Sequence, residues 1–175
     1  PAALFMSQTM TTLRMAARRQ TSVSAILAAA NAMLCAHNPS LMFATAFCGV
    51  LNLADGRLEY ANCGHCPPLI VRAGGGCETL AGGGPPLGLV AEMRATSHEV
   101  MLRSGDGLFL YTDGVTESVD PYGEEYGGGR LSATLRGAGA MSAEALVKTV
   151  RDDVARFTAG ADPFDDITCL AAVQG

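Results

Sequence analysis

The chain has 175 residues, 49% of them apolar, which is enough for one full core and too apolar for a disordered polypeptide. Net charge is −5, and the 12 basic residues (eleven Arg, one Lys) are scattered among 17 acidic ones, so the basic stripe of a nucleic-acid partner is absent. No apolar run approaches the roughly 20 residues of a membrane span, and six cysteines in a chain of this size point to a reducing, cytoplasmic setting rather than a disulfide framework.

The elements follow in chain order. Phe5, Met6, Thr9, Leu13 and Ala17 recur at helical spacing and predict a helix over 2–17. Thr21 or Ser22 caps a second helix, with Val23, Ile26, Leu27, Ala30 and Leu34 on one face, ended at Asn38-Pro39. The uncharged, β-rich run 41–53 reads as a buried strand. Asp55-Gly56 is a hairpin turn signal, followed by strands over 57–62 and 68–72. Gly74–Gly76 and Gly82–Gly84 read as loops, and 98–103 alternates as a strand. Gly105-Asp106-Gly107 turns the chain into an apolar strand over 108–112. A Gly-rich loop is expected over 121–130. Ser142 caps a helix to about Phe157, with Leu146, Val150, Val154 and Phe157 inward, and 167–173 is a closing strand. Two helices, many antiparallel strands, a helix and a strand make an α+β fold rather than an alternating βαβ one. No repeat or linker divides the chain.

The tetrad CGHC, Cys63–Cys66, is the first chemical candidate. A working redox pair needs its first thiol at a helix N-terminus. Here Pro67-Pro68 and Leu-Ile-Val follow, which favours a strand–turn–strand hairpin corner with Gly64 in the turn. Zinc would take about four ligands; Cys63, His65 and Cys66 supply three, and no second C-x-x-C or H-x-x-H supplies the rest.

Two acidic motifs at strand ends are better placed. GDGLFLYTDGVTE, residues 105–117, delivers Asp113 and then Gly114 at the end of an apolar strand. DPFDDIT, residues 162–168, delivers Asp165 and Asp166 at the start of the last one. A lone carboxylate on a turn is ordinarily a solvated turn former. Two such motifs, each joined to a buried strand, favour a shared hard-cation site, and oxygen donors select Mg²⁺ or Mn²⁺ over zinc.

With PAALFM at 1–6, ANCGHCPPLIV at 61–71, PPLGL at 85–89, EYG at 125–127 and DDIT at 165–168 in this order, the chain resembles the metal-dependent PPM protein phosphatases of the bacterial SpoIIE-like branch over essentially its whole length. The resemblance implies one SpoIIE-like domain over 1–175, an antiparallel β-sandwich flanked by α-helices. It implies two Mg²⁺ or Mn²⁺ ions and hydrolysis of phosphoserine or phosphothreonine by a metal-bridged hydroxide. The implied substrate is a phosphorylated bacterial regulator such as an anti-sigma-factor antagonist, with a sensor or receiver domain upstream.

By the same resemblance Asp113 and Asp165 are catalytic metal ligands, Asp166 is a ligand directly or through water, and Gly114 lets the backbone approach beside the metals. His65 and Asn62 are expected to close their turn rather than do chemistry. Glu117 reads as a carboxylate behind the ligands, and His37 and His98 as ordinary surface or helix-end residues. One departure stands out: the family's Asp-x-Ser-Gly strand end, whose aspartate bridges both metals, is not found before PAALFM. The expectation is therefore an N-terminally truncated chain, first strand missing, weakly active or inactive by itself, with an unpaired sheet edge that invites homodimerisation. The alternatives are a catalytically inactive phosphoprotein-binding module of the same fold and, less favoured, a CxxC thiol redox protein.

Overall fold

The structure, a computed structural model, describes residues 2–36, 38–159, 161 and 165–175. In chain order its elements are α1 (Ala2–Ala17), α2 (Val23–Ala36), β1 (Ala46–Leu51), β2 (Arg57–Cys63), β3 (Leu69–Val71), β4 (Cys77–Thr79), β5 (His98–Met101), β6 (Gly107–Tyr111), α3 (Asp113–Thr116), α4 (Gly127–Arg136), α5 (Ala143–Thr158) and β7 (Cys169–Val173). They form two compact units, Pro1–His65 with Ala81–Met101, and Cys66–Leu80 with Leu102–Gly175.

The first unit pairs α1 and α2 with a three-stranded antiparallel sheet of order β1-β2-β5. α1 buries Phe5, Thr9, Thr12 and Ala16, a three-and-four spacing that keeps one stripe inward. Ser22 caps α2: its Oγ accepts the Ala25 N–H at 3.3 Å. Val23, Leu27 and Leu34 of α2 pack with Ala61 and Cys63 of β2, with Phe5, and with Leu87 of the PPLGL segment.

The second unit carries a four-stranded antiparallel sheet of order β4-β3-β6-β7 with α3, α4 and α5. Its core joins Leu69 and Val71 of β3 and Phe109 and Tyr111 of β6 to Leu131 and Leu135 of α4 and to Leu146, Val150 and Val154 of α5. Ser142 caps α5 through its Oγ, which accepts the Ala145 N–H at 3.2 Å. The mixed helix and antiparallel-sheet class is the α+β class read from the sequence.

Three local expectations are corrected, and one short strand was not anticipated. The buried strand over 41–53 is shorter and half exposed, because β1 covers only Ala46–Leu51 and Leu41 adopts a positive φ of 50°. The strands on either side of CGHC are not a hairpin: β2 belongs to the first sheet and β3 to the second. The Gly-rich stretch 121–130 is a short turn followed by α4, whose first three residues are glycine. The loops around 74–84 enclose a short strand, β4. His37 lies outside the described residues.

Candidate functional site

β6 brings the first acidic motif to its place. Its five residues, GLFLY, are apolar or small because the strand lies between β3 and β7 in the sheet. The β6–β7 register runs from Gly107↔Val173 to Tyr111↔Cys169. One bond continues it: the Thr112 N–H donates to the Thr168 carbonyl at 3.0 Å. Past that point the strands diverge, and the Thr112 hydroxyl spans the gap. It accepts the Thr168 N–H at 3.0 Å and donates to the Asp166 carbonyl at 3.2 Å.

Asp113 opens the single-turn helix α3, and its Oδ1 accepts the Gly114 N–H at 3.0 Å. Asp165 does the same for its neighbour, its Oδ1 accepting the Asp166 N–H at 2.7 Å. Gly114 is where the motifs touch. A Cβ there would lie 2.5 Å from the Asp166 carbonyl oxygen and 3.6 Å from the Asp165 carbonyl carbon, so only glycine permits this approach. The Gly114 carbonyl accepts the Ser118 hydroxyl at 2.7 Å, which commits one of its lone pairs inside the turn. Glu117 ends α3, with its N–H on the Asp113 carbonyl at 2.8 Å.

Asp113, Asp165, Asp166 and Glu117 are solvent-exposed. No Lys, Arg or His among the described residues forms an ion pair with any of them. Their exposure removes the desolvation argument for a bound cation. What remains is a set of exposed carboxylates on two turns that meet through backbone, with no basic side chain paired to them among the described residues, and oxygen donors of this kind suit Mg²⁺ or Mn²⁺. In number it is incomplete: among the described residues, no three His, Cys, Asp or Glu side chains are grouped to hold a metal ion. The motifs meet through backbone, and their carboxylates do not close a cage. Asp162, at the head of the second motif, lies outside the described residues.

The other candidates fall in different places. Asn62 braces the CGHC turn: its side-chain amide donates to the His65 carbonyl at 2.9 Å, and its Oδ1 accepts the His65 N–H at 2.8 Å. Gly64 provides the turn's positive φ of 77°. Cys63 ends β2 and is buried. Burial pushes its thiol pKa up, and Cys48 adds to the shift. Burial also raises the Cys66 thiol, with the Asp113 carboxylate adding to it. A redox pair needs the opposite shift. Sequence reading missed Thr112 and Ser118, the two hydroxyls that fasten the acidic turns. Their signal was their position, one residue before Asp113 and one residue past the end of the YTDGVTE run.

Comparison with known proteins gives four matches. The family model described as Stage II sporulation protein E (SpoIIE) matches residues 1–173. Protein IcfG of Synechocystis sp. (strain ATCC 27184 / PCC 6803 / Kazusa) is 33% identical over 138 residues, covering 79% of this chain and 22% of IcfG. Among solved structures, the RsbU and RsbW domains of Rv1364c from Mycobacterium tuberculosis match with a TM-score of 0.75 at 27% identity, over 97% of this chain and 47% of that one. The SiaA-PP2C domain of Pseudomonas aeruginosa matches with a TM-score of 0.82 at 20% identity, over 98% of this chain and 69% of that one, a likeness of fold. The chain thus spans about a fifth of IcfG and about half of the Mycobacterium chain.

Proposed function

Because the chain belongs to the SpoIIE family of PPM-type phosphatase domains, we propose that it hydrolyses phosphoserine or phosphothreonine on a regulatory protein, with Asp113, Asp165 and Asp166 holding Mg²⁺ or Mn²⁺. The observation that carries this reading is the contact of Gly114 with the Asp165–Asp166 backbone, which joins two acidic motifs distant in sequence at one end of one sheet. A bound divalent cation supplies positive charge that acidifies water and offsets the charge of the phosphoryl oxygens.

The chain's own part is positional. The three aspartates offer exposed anionic oxygens, and the Thr112 and Ser118 hydroxyls hold their turns. Water then displaces the seryl or threonyl oxygen at phosphorus, and that oxygen leaves with a proton. No protein nucleophile takes part, which agrees with thiols whose pKa values are raised rather than lowered. An anti-sigma-factor antagonist is the proposed substrate. The presence of RsbU and RsbW domains together in the Mycobacterium relative supports a regulatory partner.

A second reading, a phosphoprotein-binding domain without turnover, is favoured by the absence of a three-ligand group among the described residues. Asp113→Asn in the full-length natural chain separates the two. For an enzyme, Mn²⁺-dependent phosphate release falls by roughly 100-fold, the scale of removing one transition-state-stabilising group, while phosphoprotein binding persists. Wild-type protein that binds the phosphoprotein and releases no phosphate with either metal establishes the second reading.

A further inference from the structure

Thr112 occupies the point where the β6–β7 ladder opens. In a regular antiparallel pair, Thr112 and Thr168 would exchange two main-chain bonds. One forms, from the Thr112 N–H to the Thr168 carbonyl at 3.0 Å. The return bond goes to the side chain instead: the Thr168 N–H donates to Thr112 Oγ1 at 3.0 Å. The same hydroxyl then donates its proton to the Asp166 carbonyl at 3.2 Å. One oxygen therefore fixes the backbone at Asp166 and at Thr168, the C-terminal end of the second acidic motif, from the residue next to Asp113.

We propose that Thr112 is a positioning residue whose hydroxyl sets the spacing between the Asp113 and Asp165–Asp166 turns, so that divalent-cation affinity depends on it more than folding does. The proposal rests on the phosphatase reading and adds a residue to it.

The separation of affinity from stability follows from exposure. Thr112 is half-buried and Asp166 and Thr168 are exposed, so water replaces the lost partners when the hydroxyl is removed and the fold loses little. Water does not restore the spacing. A carboxylate that has lost its orientation must be ordered again each time a cation binds, and this lowers affinity. The valine side chain is the right probe. It keeps the branched shape and the strand preference and removes both side-chain bonds. Serine keeps the hydroxyl and removes only the methyl group.

The experiment uses the full-length natural chain as wild type, Thr112→Val and Thr112→Ser. Mn²⁺ binding is read from the free-ion electron paramagnetic resonance signal, alongside melting without metal and the Mn²⁺ dependence of phosphate release from a phosphoserine peptide. The valine variant should bind Mn²⁺ about tenfold more weakly, the size associated with losing a partner that orients a metal ligand. Its metal-free melting temperature should match wild type, its half-saturating Mn²⁺ should rise, and its turnover at saturating Mn²⁺ should approach wild type. Serine should restore the affinity. Equal Mn²⁺ affinity in wild type and the valine variant overturns the proposal and leaves the phosphatase reading standing. Weakened binding that serine does not rescue, or that comes with a matching loss of metal-free stability, also overturns it, because the role is then structural. A wild-type chain that binds no Mn²⁺ overturns this proposal together with the reading beneath it.

Discussion

The Asp106 carboxylate is buried and accepts the Ala73 N–H at 2.9 Å, the Arg103 N–H at 3.0 Å and Arg72 Nη1 at 2.7 Å. Arg72 also grips Glu78 through Nε and Nη2, at 2.9 and 2.8 Å. Burial pushes the Asp106 pKa up, but the two N–H donors and the guanidinium outweigh it, and the carboxyl titrates below its ordinary value. The folded chain therefore binds a proton here less readily than the unfolded chain. The stabilisation is complete above the unfolded pKa of about 3.9 and is lost as pH falls through the lower folded value. Asp106→Asn should cost about 2 kcal/mol at neutral pH, the scale of a charge-assisted hydrogen bond. Denaturant melts of both proteins at pH 7 and near pH 3 should show the gap narrowing on acidification. Asp113 has a similar sequence setting, also followed by glycine, yet it pairs with no basic side chain among the described residues. That difference depends on Arg72, remote in sequence, so a single chain gives no means of sorting the two aspartates by local pattern.

Helix α4 shows why some elements were legible and others were not. α1, α2 and α5 were read from the sequence because their apolar stripes, and in α2 and α5 a serine cap, are local signals. α4 begins with three glycines, the worst common helix formers apart from proline, and carries only Leu131 and Leu135 as buried anchors. Its support is tertiary. The Tyr126 hydroxyl donates to Asp153 Oδ2 at 2.7 Å, Thr134 Oγ1 donates to the same oxygen at 2.9 Å, and Arg130 Nε donates to it at 3.2 Å. Arg156 reaches Asp153 Oδ1 at 2.9 Å, and the Arg130 guanidinium lies 4.6 Å from the Phe157 ring centroid. Burial first, with Asp153 adding to it, pushes the Tyr126 hydroxyl pKa up to about 12. Asp153→Ala should cost about 2 kcal/mol, because it removes the acceptor shared by the Tyr126 and Thr134 hydroxyls, while the half-exposed Arg130 returns to water. Hydrogen exchange should show α4 losing protection before α5. β4 escaped for a related reason: three residues, Cys-Glu-Thr, have no period to read, and the strand exists because β3 pairs with it.

Across the whole molecule, the chain falls into two compact units, each with its own antiparallel sheet and helices. Among the described residues, no helix is long and apolar enough to cross a membrane. The two acidic motifs were legible as a pair because YTDGVTE and DDIT are family patterns and each adjoins an apolar strand. The role of the Thr112 hydroxyl was not legible, since its partners are main-chain atoms more than fifty positions away in the chain. The six cysteines are free thiols and the CGHC turn is held by Asn62, so the redox letters have no part in the proposed chemistry. Replacing Cys63 and Cys66 together by alanine should leave Mn²⁺-dependent phosphate release near wild type and unaffected by reductant; abolished turnover in a folded double variant would count against the phosphatase reading. The pairing of β6 with β7 also has a temporal side. Translation adds roughly 5–20 residues per second, so a growing polypeptide carries Asp113 for several seconds before Asp165 has been synthesised. During that interval β6 has no β7 to pair with, and the two acidic turns cannot meet until β7 has emerged from the ribosome and docked.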